Sequence, residues 1–168
     1  GHICVASNDA LAMATGEWIA LLDHDDVLWP NALYEVVKRI NEKPNTLFVY
    51  SDEDKIAENG RTHCDPFFKP DWSPHFLWSC NYITHFAVLK KSVVDAVEGF
   101  REKTQGAQDW DLFLRAIEHI QGYSQHPWDP SCQIQHIDTI LYSWRKSETS
   151  TASEKHSLTA KDYAYTAQ

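Results

Sequence analysis

Carboxylates gather in one short segment of the sequence, residues 23–26, which reads DHDD and directly follows the apolar residues 18–22. Alternate residues of an extended chain point to the same side, so Asp23 and Asp25 can converge while Asp26 begins a turn. A hard divalent cation such as Mg²⁺ or Mn²⁺ removes the repulsion between such carboxylates and leaves coordination positions for phosphate oxygens. The segment predicts a metal site, and the simpler alternative is a solvated acidic turn before the next helix.

Two further acidic segments could contribute to the same site. Residues 52–54 are consecutive acids after a second apolar run at 47–50. Since three neighbouring side chains cannot all point inward, we expect Asp52 or Asp54 to face a substrate, or the segment to be a plain polar turn. Asp109 stands at the predicted start of a helix, where the helix dipole favours a carboxylate. It is a candidate general base, and a helix N-cap is the alternative.

The candidate basic groups come late in the chain. His136 lies in a predicted strand and could be a further metal ligand, although a strand histidine is more often a core or surface residue. Arg145 is followed by Lys146 near the end of a predicted strand, and its guanidinium could bind a diphosphate in bidentate fashion.

The apolar periodicity indicates the elements that would position these groups. We predict a helix capped by Ser7 or Asn8, a buried parallel strand at 18–22, a helix from Pro30 with apolar positions 33, 36, 37 and 40, and a strand at 47–50. Asn59-Gly60 predicts a hairpin turn. Helices are predicted at 74–78, at 93–97 and from residue 109, and strands at 83–89, 133–137 and 139–144. This order is typical of an open α/β sheet with ligands at its carboxyl edge.

The composition favours a single soluble domain and argues against nucleic-acid partners. Lys and Arg number 15 against 24 Asp and Glu, and the net charge of −9 repels phosphate backbones and anionic membranes. No apolar run approaches the roughly 20 residues that span a bilayer, and no export signal opens the chain, so the cytoplasm is the expected compartment. We predict one domain over residues 1–168, in which 147–168 form a mobile loop and a C-terminal helix.

Six short motifs occur in one order along almost the whole chain. They read ASNDAL with AxGE, LLDHDD, YSDEDK, FKPDWSP, GAQDWDL with Arg115, and HI with LYxWR, and they begin at residues 6, 21, 50, 68, 106 and 136. This series resembles the family 2 glycosyltransferases of the GT-A type, in the bacterial branch that builds O-antigen, capsule and related polysaccharides. The resemblance implies a GT-A-like, Rossmann-like open mixed sheet flanked by helices.

The resemblance also implies roles for the acidic candidates. Asp23 and Asp25 match the Asp-x-Asp pair that holds a divalent metal and the nucleotide-sugar, with Asp26 adjacent, and the choice between Asp25 and Asp26 as metal ligand stays open. Asp109 matches the aspartate that activates the acceptor hydroxyl in inverting members. Gln108 stands where many members have Glu, which changes the local charge and leaves the candidate base in place.

The implied activity is metal-dependent transfer of a sugar, with inversion, from a nucleotide-diphosphate donor to a hydroxyl of a glycan or lipid-linked glycan. His136 and Arg145 would lie near the diphosphate, and Asp52 joins Asp23 and Arg145 as a candidate donor contact. The full-length protein would act in the cytoplasm, at the inner face of the membrane. The family begins with a nucleotide-binding strand and helix that no segment here matches, so we expect this chain to belong to a longer enzyme.

Two other classes of function remain as alternatives. The apolar run into DHDDVL resembles the nucleophile motif of haloacid dehalogenase-type phosphatases, but the second acidic segment lies too close to the first for that class. A non-catalytic module that binds Ca²⁺ or a glycan through its acidic rim is the third hypothesis.

Overall fold

The computed structural model describes residues 2–122 and 133–146. Within these ranges the helices are α1 (Ile3–Met13), α2 (Ala32–Glu42), α3 (Pro74–Ser79), α4 (Lys91–Ala96) and α5 (Gln108–Gly122), with a 3₁₀ turn at Glu102–Thr104. The strands are β1 (Trp18–Ala20), β2 (Val27–Leu28), β3 (Phe48–Ile56), β4 (His63–Phe67), β5 (Ala87–Lys90) and β6 (Ile134–Arg145). The loop and helix predicted at 147–168 lie outside the described residues.

The chain divides into two compact units. Of the described residues, the first unit contains 2–19 and 90–122, and the second contains 20–89 and 133–146. The single domain over residues 1–168 stays a prediction.

The strands form one mixed sheet in the order β1-β5-β3-β6-β2. Strand β4 pairs with β3 and stands outside this order. Strand β3 runs parallel to β6 and antiparallel to β4 and β5, and β2 runs antiparallel to β6. The predicted α/β class with an open mixed sheet is therefore confirmed. The strand expected at 18–22 is shorter and is not fully buried, since Trp18 and Ile19 are half-buried and Ala20 is exposed.

Strand β3 is the centre of the sheet and is longer than the apolar run that predicted it. Phe48 and Tyr50 are fully buried, and the strand continues through the acids 52–54 to Ile56. The predicted hairpin follows and is confirmed: Ala57 N donates to Thr62 O at 2.9 Å, and Gly60 takes a φ of +65°. That left-handed conformation suits glycine, which has no Cβ to clash.

Helix α2 packs on β6 through Ala32 and Val36, which are 1% and 5% exposed. The predicted apolar face is only partly correct, since Leu33 and Val37 are 62% and 56% exposed. Each of them follows a buried residue by one position, which is about 100° around the helix axis. The buried face is therefore centred on positions 32 and 36.

The first unit is held together by α5, α4, α1 and the 3₁₀ turn. Its apolar core includes Cys4, Val93, Val94, Leu112, Phe113, Ala116, Ile117 and Ile120. Asn8 does not cap α1, because the helix begins at Ile3; instead its side chain accepts from Phe100 N at 2.9 Å and donates to Phe100 O at 2.8 Å. None of the helices in the described ranges is both long and apolar enough to cross a membrane.

Candidate functional site

The acidic turn at 23–26 connects β1 to β2 and is tied down by the end of β6. The Tyr142 hydroxyl donates to Asp26 Oδ2 at 2.5 Å, and Arg145 N donates to Asp26 Oδ1 at 2.7 Å. Arg145 Nε also donates to the backbone oxygen of Asp25 at 2.6 Å, and Asp23 N donates to the Tyr142 hydroxyl oxygen at 3.3 Å. The Asp26 carboxylate is thus fixed on both oxygens, while the side chains of Asp23 and Asp25 are 60% and 40% exposed.

Tyr142 is a dependable donor in this arrangement. Burial and the hydrogen bond to the Asp26 carboxylate raise the pKa of Tyr142 above its ordinary value. The phenol therefore keeps its proton at neutral pH and can hold the carboxylate in place.

His85 joins the acidic turn from the segment before β5. Its Nε2 lies 3.8 Å from Asp23 Oδ2, and its ring stacks on Tyr142 with centroids 4.9 Å apart and an interplanar angle of 15°. Ligand atoms of Asp23, Asp26 and His85 all lie within 4.8 Å of one another, which is close enough to share one ion. Carboxylates suit both Mg²⁺ and Mn²⁺, and an imidazole ligand favours Mn²⁺, which is the transition-metal ion of the two.

A fully buried lysine supports the segment that carries His85. Lys69 Nζ lies 3.1 Å from Glu53 Oε2, donates to Ile83 O at 2.9 Å and also donates to His85 O. Burial lowers the pKa of Lys69 to about 8, against the opposing effect of Glu53. Burial alone would raise the pKa of Glu53, but hydrogen bonds from His85 and the charge of Lys69 outweigh it and hold that pKa below its ordinary value.

His136 and Asp52 contact each other rather than the acidic turn. His136 Nε2 lies 2.8 Å from Asp52 Oδ1, its Nδ1 lies 3.1 Å from Asp71 Oδ1, and its ring stacks on Tyr50 at 4.9 Å. Lys69 N donates to the same Asp52 oxygen at 2.9 Å. Neither His136 nor Asp25 belongs to the group of ligand atoms formed by Asp23, Asp26 and His85. Their metal-binding role stays a prediction.

The alternative of a plain polar turn at residues 52–54 is wrong, because these acids lie within β3 and are buried. Asp52, Glu53 and Asp54 are 3%, 7% and 4% exposed. Each has its own polar partners, and Asp54 accepts from Ser143 Oγ at 2.5 Å and lies 2.9 Å from His63 Nδ1. The register of β3 on β6 shifts on either side of Asp52, and such bulges redirect neighbouring side chains.

Asp109 lies in the first turn of α5, as predicted from the sequence. This helix belongs to the first unit. Two residues further on, Asp111 is buried and accepts from Arg115 at 2.9 Å (Nε) and 2.5 Å (Nη2). Arg115 also donates to Val97 O at 2.5 Å and to Gly99 O at 2.8 Å, so this pair anchors α5 to the end of α4. The role of Asp109 as a base stays a prediction.

Sequence reasoning missed His85 and Lys69. Both stand outside any acidic or glycine-rich segment, and neither has a motif spacing that indicates metal binding. The available signal was weak: a histidine within the strand predicted at 83–89 and a lysine inside the FKPDWSP motif.

The family model for "Glycosyl transferase family 2" matches residues 2–98. An uncharacterized protein, y4gI of Sinorhizobium fredii, is 46% identical over 98% of this chain and 17% of its own length. The O-antigen biosynthesis protein RfbC of Myxococcus xanthus is 35% identical over 91% of this chain and 11% of its own. A chondroitin synthase of Pasteurella multocida is 30% identical over 70% of this chain and 12% of its own. The chain thus spans less than a fifth of each of these relatives.

Solved structures of S. aureus TarS share the fold. One crystal structure, of TarS 1-349, superposes with a TM-score of 0.59 at 16% identity, over 86% of this chain and 40% of that one. The TarS complex with UDP-GlcNAc gives 0.58 at 17% identity, over 88% of this chain and 40% of that one. The mixed sheet with its helices is accordingly GT-A-like. Since the family model covers more than half of the sequence, the chain belongs to glycosyl transferase family 2.

Proposed function

We propose that this chain is the part of a glycosyltransferase that handles the donor diphosphate, and that the enzyme moves a sugar from a nucleotide-diphosphate to a hydroxyl of a growing glycan. The observation that carries the proposal is the approach of Asp23, Asp26 and His85 at the motif-bearing acidic turn. Family membership and the polysaccharide-synthase relatives support it. Membership of this family argues against the haloacid dehalogenase-type phosphatase.

Asp23, Asp26 and His85 would hold Mn²⁺ or Mg²⁺, with Asp25 as the alternative carboxylate suggested by the Asp-x-Asp motif. A bound divalent ion supplies positive charge that neutralises the departing diphosphate. Arg145 adds a fixed positive charge at the same turn. Its described hydrogen bonds use the backbone N and Nε, so Nη1 and Nη2 are the nitrogens we assign to phosphate oxygens.

Asp109 is the proposed general base. Its carboxylate would take the proton from the acceptor hydroxyl while that oxygen forms its bond to the anomeric carbon, and the nucleotide-diphosphate would leave from the opposite side. This single displacement inverts the configuration. The acceptor is a glycan, free or lipid-linked, and we place the reaction in the cytoplasm at the inner face of the membrane.

The test is nucleotide release by the full-length protein with a panel of nucleotide-sugars, measured with Mn²⁺, with Mg²⁺ and with EDTA. We expect metal-dependent release that Asp26→Asn abolishes, because the substitution removes a charged ligand atom. Asp95→Asn is the matched control, since the only described contact of the Asp95 side chain is an exposed ion pair with Lys91, and the variant should leave the rate unchanged.

Two results would contradict the proposal. Release that is equally fast in EDTA would remove the metal from the mechanism. Binding of Ca²⁺ or a glycan with no nucleotide turnover from any donor would favour the non-catalytic module.

A further inference from the structure

We infer that Glu53 is a positioning residue for the proposed metal site: it lies behind the His85 imidazole on the Nδ1 side and directs Nε2 toward Asp23 and Asp26. The inference rests on the proposed function, because it assumes a cation at that turn. It adds a residue from the middle of β3 that no motif assigns to metal binding.

The two nitrogens of the His85 ring face two different carboxylates. Glu53 Oε2 lies 3.5 Å from Nδ1, and Asp23 Oδ2 lies 3.8 Å from Nε2. A neutral imidazole carries one proton, and the nitrogen without the proton is the one that can bind a metal. A buried negative charge beside Nδ1 stabilises the proton there and leaves the Nε2 lone pair on the side of the acidic turn.

Glu53 also fixes the backbone of the residue that it orients. Its Oε2 accepts a hydrogen bond from His85 N, while Lys69 Nζ donates to His85 O on the other side of the residue. Tyr142 stacks on the His85 ring and donates to Asp26, so one side chain positions both the ring plane and the Asp26 carboxylate. The position of Nε2 is therefore set from the backbone, from the ring face and from the Nδ1 edge.

Lys69 holds Glu53 in its charged form. The lysine side chain is 0% exposed, and its three described partners match the three donors of an ammonium group: Glu53 Oε2, Ile83 O and His85 O. A buried charge that loses its partner is strongly destabilising, so Glu53 and Lys69 must be changed together when the carboxylate is tested.

The test uses the double variant Glu53→Gln/Lys69→Met, which removes both charges and keeps an amide oxygen that can accept from His85 N. We expect Mn²⁺ affinity of the full-length protein, measured by electron paramagnetic resonance, to fall by about 10–100-fold, as for other partners of metal-binding histidines. Asp54→Asn is the matched control. Asp54 is a buried acid of the same strand whose described partners are Ser143 and His63, and its replacement should change the affinity by less than about 2-fold.

A second readout needs no metal. Long-range ¹H–¹⁵N NMR of the metal-free protein, at a pH where the ring is neutral, reports which nitrogen of His85 carries the proton. We expect the Nδ1–H tautomer in the wild type and in Asp54→Asn, and an increased Nε2–H population in the double variant. A wild-type ring with its proton on Nε2 would overturn the inference.

The failure of this inference can be told apart from the failure of the proposed site. If Asp26→Asn and His85→Ala lose Mn²⁺ affinity while the double variant binds like the wild type, the site stands and the role of Glu53 is refuted. If Asp26→Asn and His85→Ala bind Mn²⁺ as the wild type does, the proposed metal site itself is wrong and this inference falls with it.

Discussion

Replacing Lys69 by Met is the most informative test of how the site is supported. The substitution keeps the length of the side chain and removes its charge, so Glu53 stays buried at 7% exposure with its cationic partner gone. The carbonyl oxygens of Ile83 and His85 lose a donor as well. Removing one partner of a buried ion pair costs about 3–5 kcal/mol, and we expect a loss of that size in the free energy of unfolding.

The matched control is Lys91→Met on the surface. Lys91 Nζ lies 2.7 Å from Asp95 Oδ1, which is closer than the 3.1 Å between Lys69 and Glu53, but the Lys91 side chain is 27% exposed. Exposed pairs of this i,i+4 kind contribute about 0.3–0.5 kcal/mol, because water screens them and solvates both partners when the pair is broken. Burial rather than distance should therefore decide the difference between the two variants.

The assay is urea unfolding at pH 7 with linear extrapolation to water. Glu53→Gln/Lys69→Met should recover part of the Lys69→Met loss, because no buried charge is left over, while the two carbonyl oxygens remain without their donor. The reasoning is refuted if Lys69→Met unfolds within 1 kcal/mol of the wild type, or if the double variant is destabilised by the sum of the two single changes.

The remaining predictions concern pH, catalysis and one glycine. Glu53 has a folded pKa below its ordinary 4.5, so its contribution to stability is present above pH 4.5 and is lost as the pH falls through the folded value; unfolding curves recorded from pH 7 to pH 3 check this. The folded pKa of Lys69, about 8, also lies below its ordinary value of 10.5. The unfolded chain therefore binds more protons between these two values, and the free energy of unfolding should rise with pH there. Asp109→Asn should lower turnover by about 10²–10⁴-fold and leave donor binding intact, and a variant with ordinary turnover would exclude Asp109 as the base. Gly99→Ala should cost at least about 1 kcal/mol, because φ is +64° and the new Cβ would lie 2.7 Å from Asn8 Oδ1; a thermal midpoint equal to the wild type would contradict this.

Much of the fold could be predicted because its signals are local. The Asn59-Gly60 turn, the proline at the start of α3 and the apolar spacing of α5 each act over a few residues, and the structure has the element expected at each place. The sequence also predicts a break between two strands after residue 137. Strand β6 is continuous there, but its register on β3 shifts between the partners of Ser51 and Asp52.

The buried acids of β3 could not be predicted from local signals. Charged residues favour turns when only neighbours along the chain are considered, and the apolar run ends at Tyr50. In the structure Asp52, Glu53 and Asp54 have partners in β6, in β4, in the segment after β4 and in the segment before β5. Those pairings depend on strand order, which a local pattern does not contain.

The candidate site was predicted in part for the same reason. The DHDD motif identified the acidic turn, and Asp23 does approach a second carboxylate. The histidine beside these carboxylates is His85, whereas the sequence offered His136, since both histidines lie in predicted strands and only the sheet distinguishes them. His136 is placed against Asp52 and Asp71.

The register of β3 on β6 links the two supports of the proposed metal site. Glu53 pairs with Tyr142 across these strands, and the two side chains contact the same His85 ring, one at its Nδ1 edge and the other on its face. A slip of one residue in this pairing would put the two side chains on opposite faces of the sheet. Glu53 and Tyr142 could then no longer contact the same His85 ring. The geometry of the acidic turn therefore depends on the central strand pair, and substitutions of Glu53 or Tyr142 should alter metal binding even though the Asp-x-Asp motif itself is untouched.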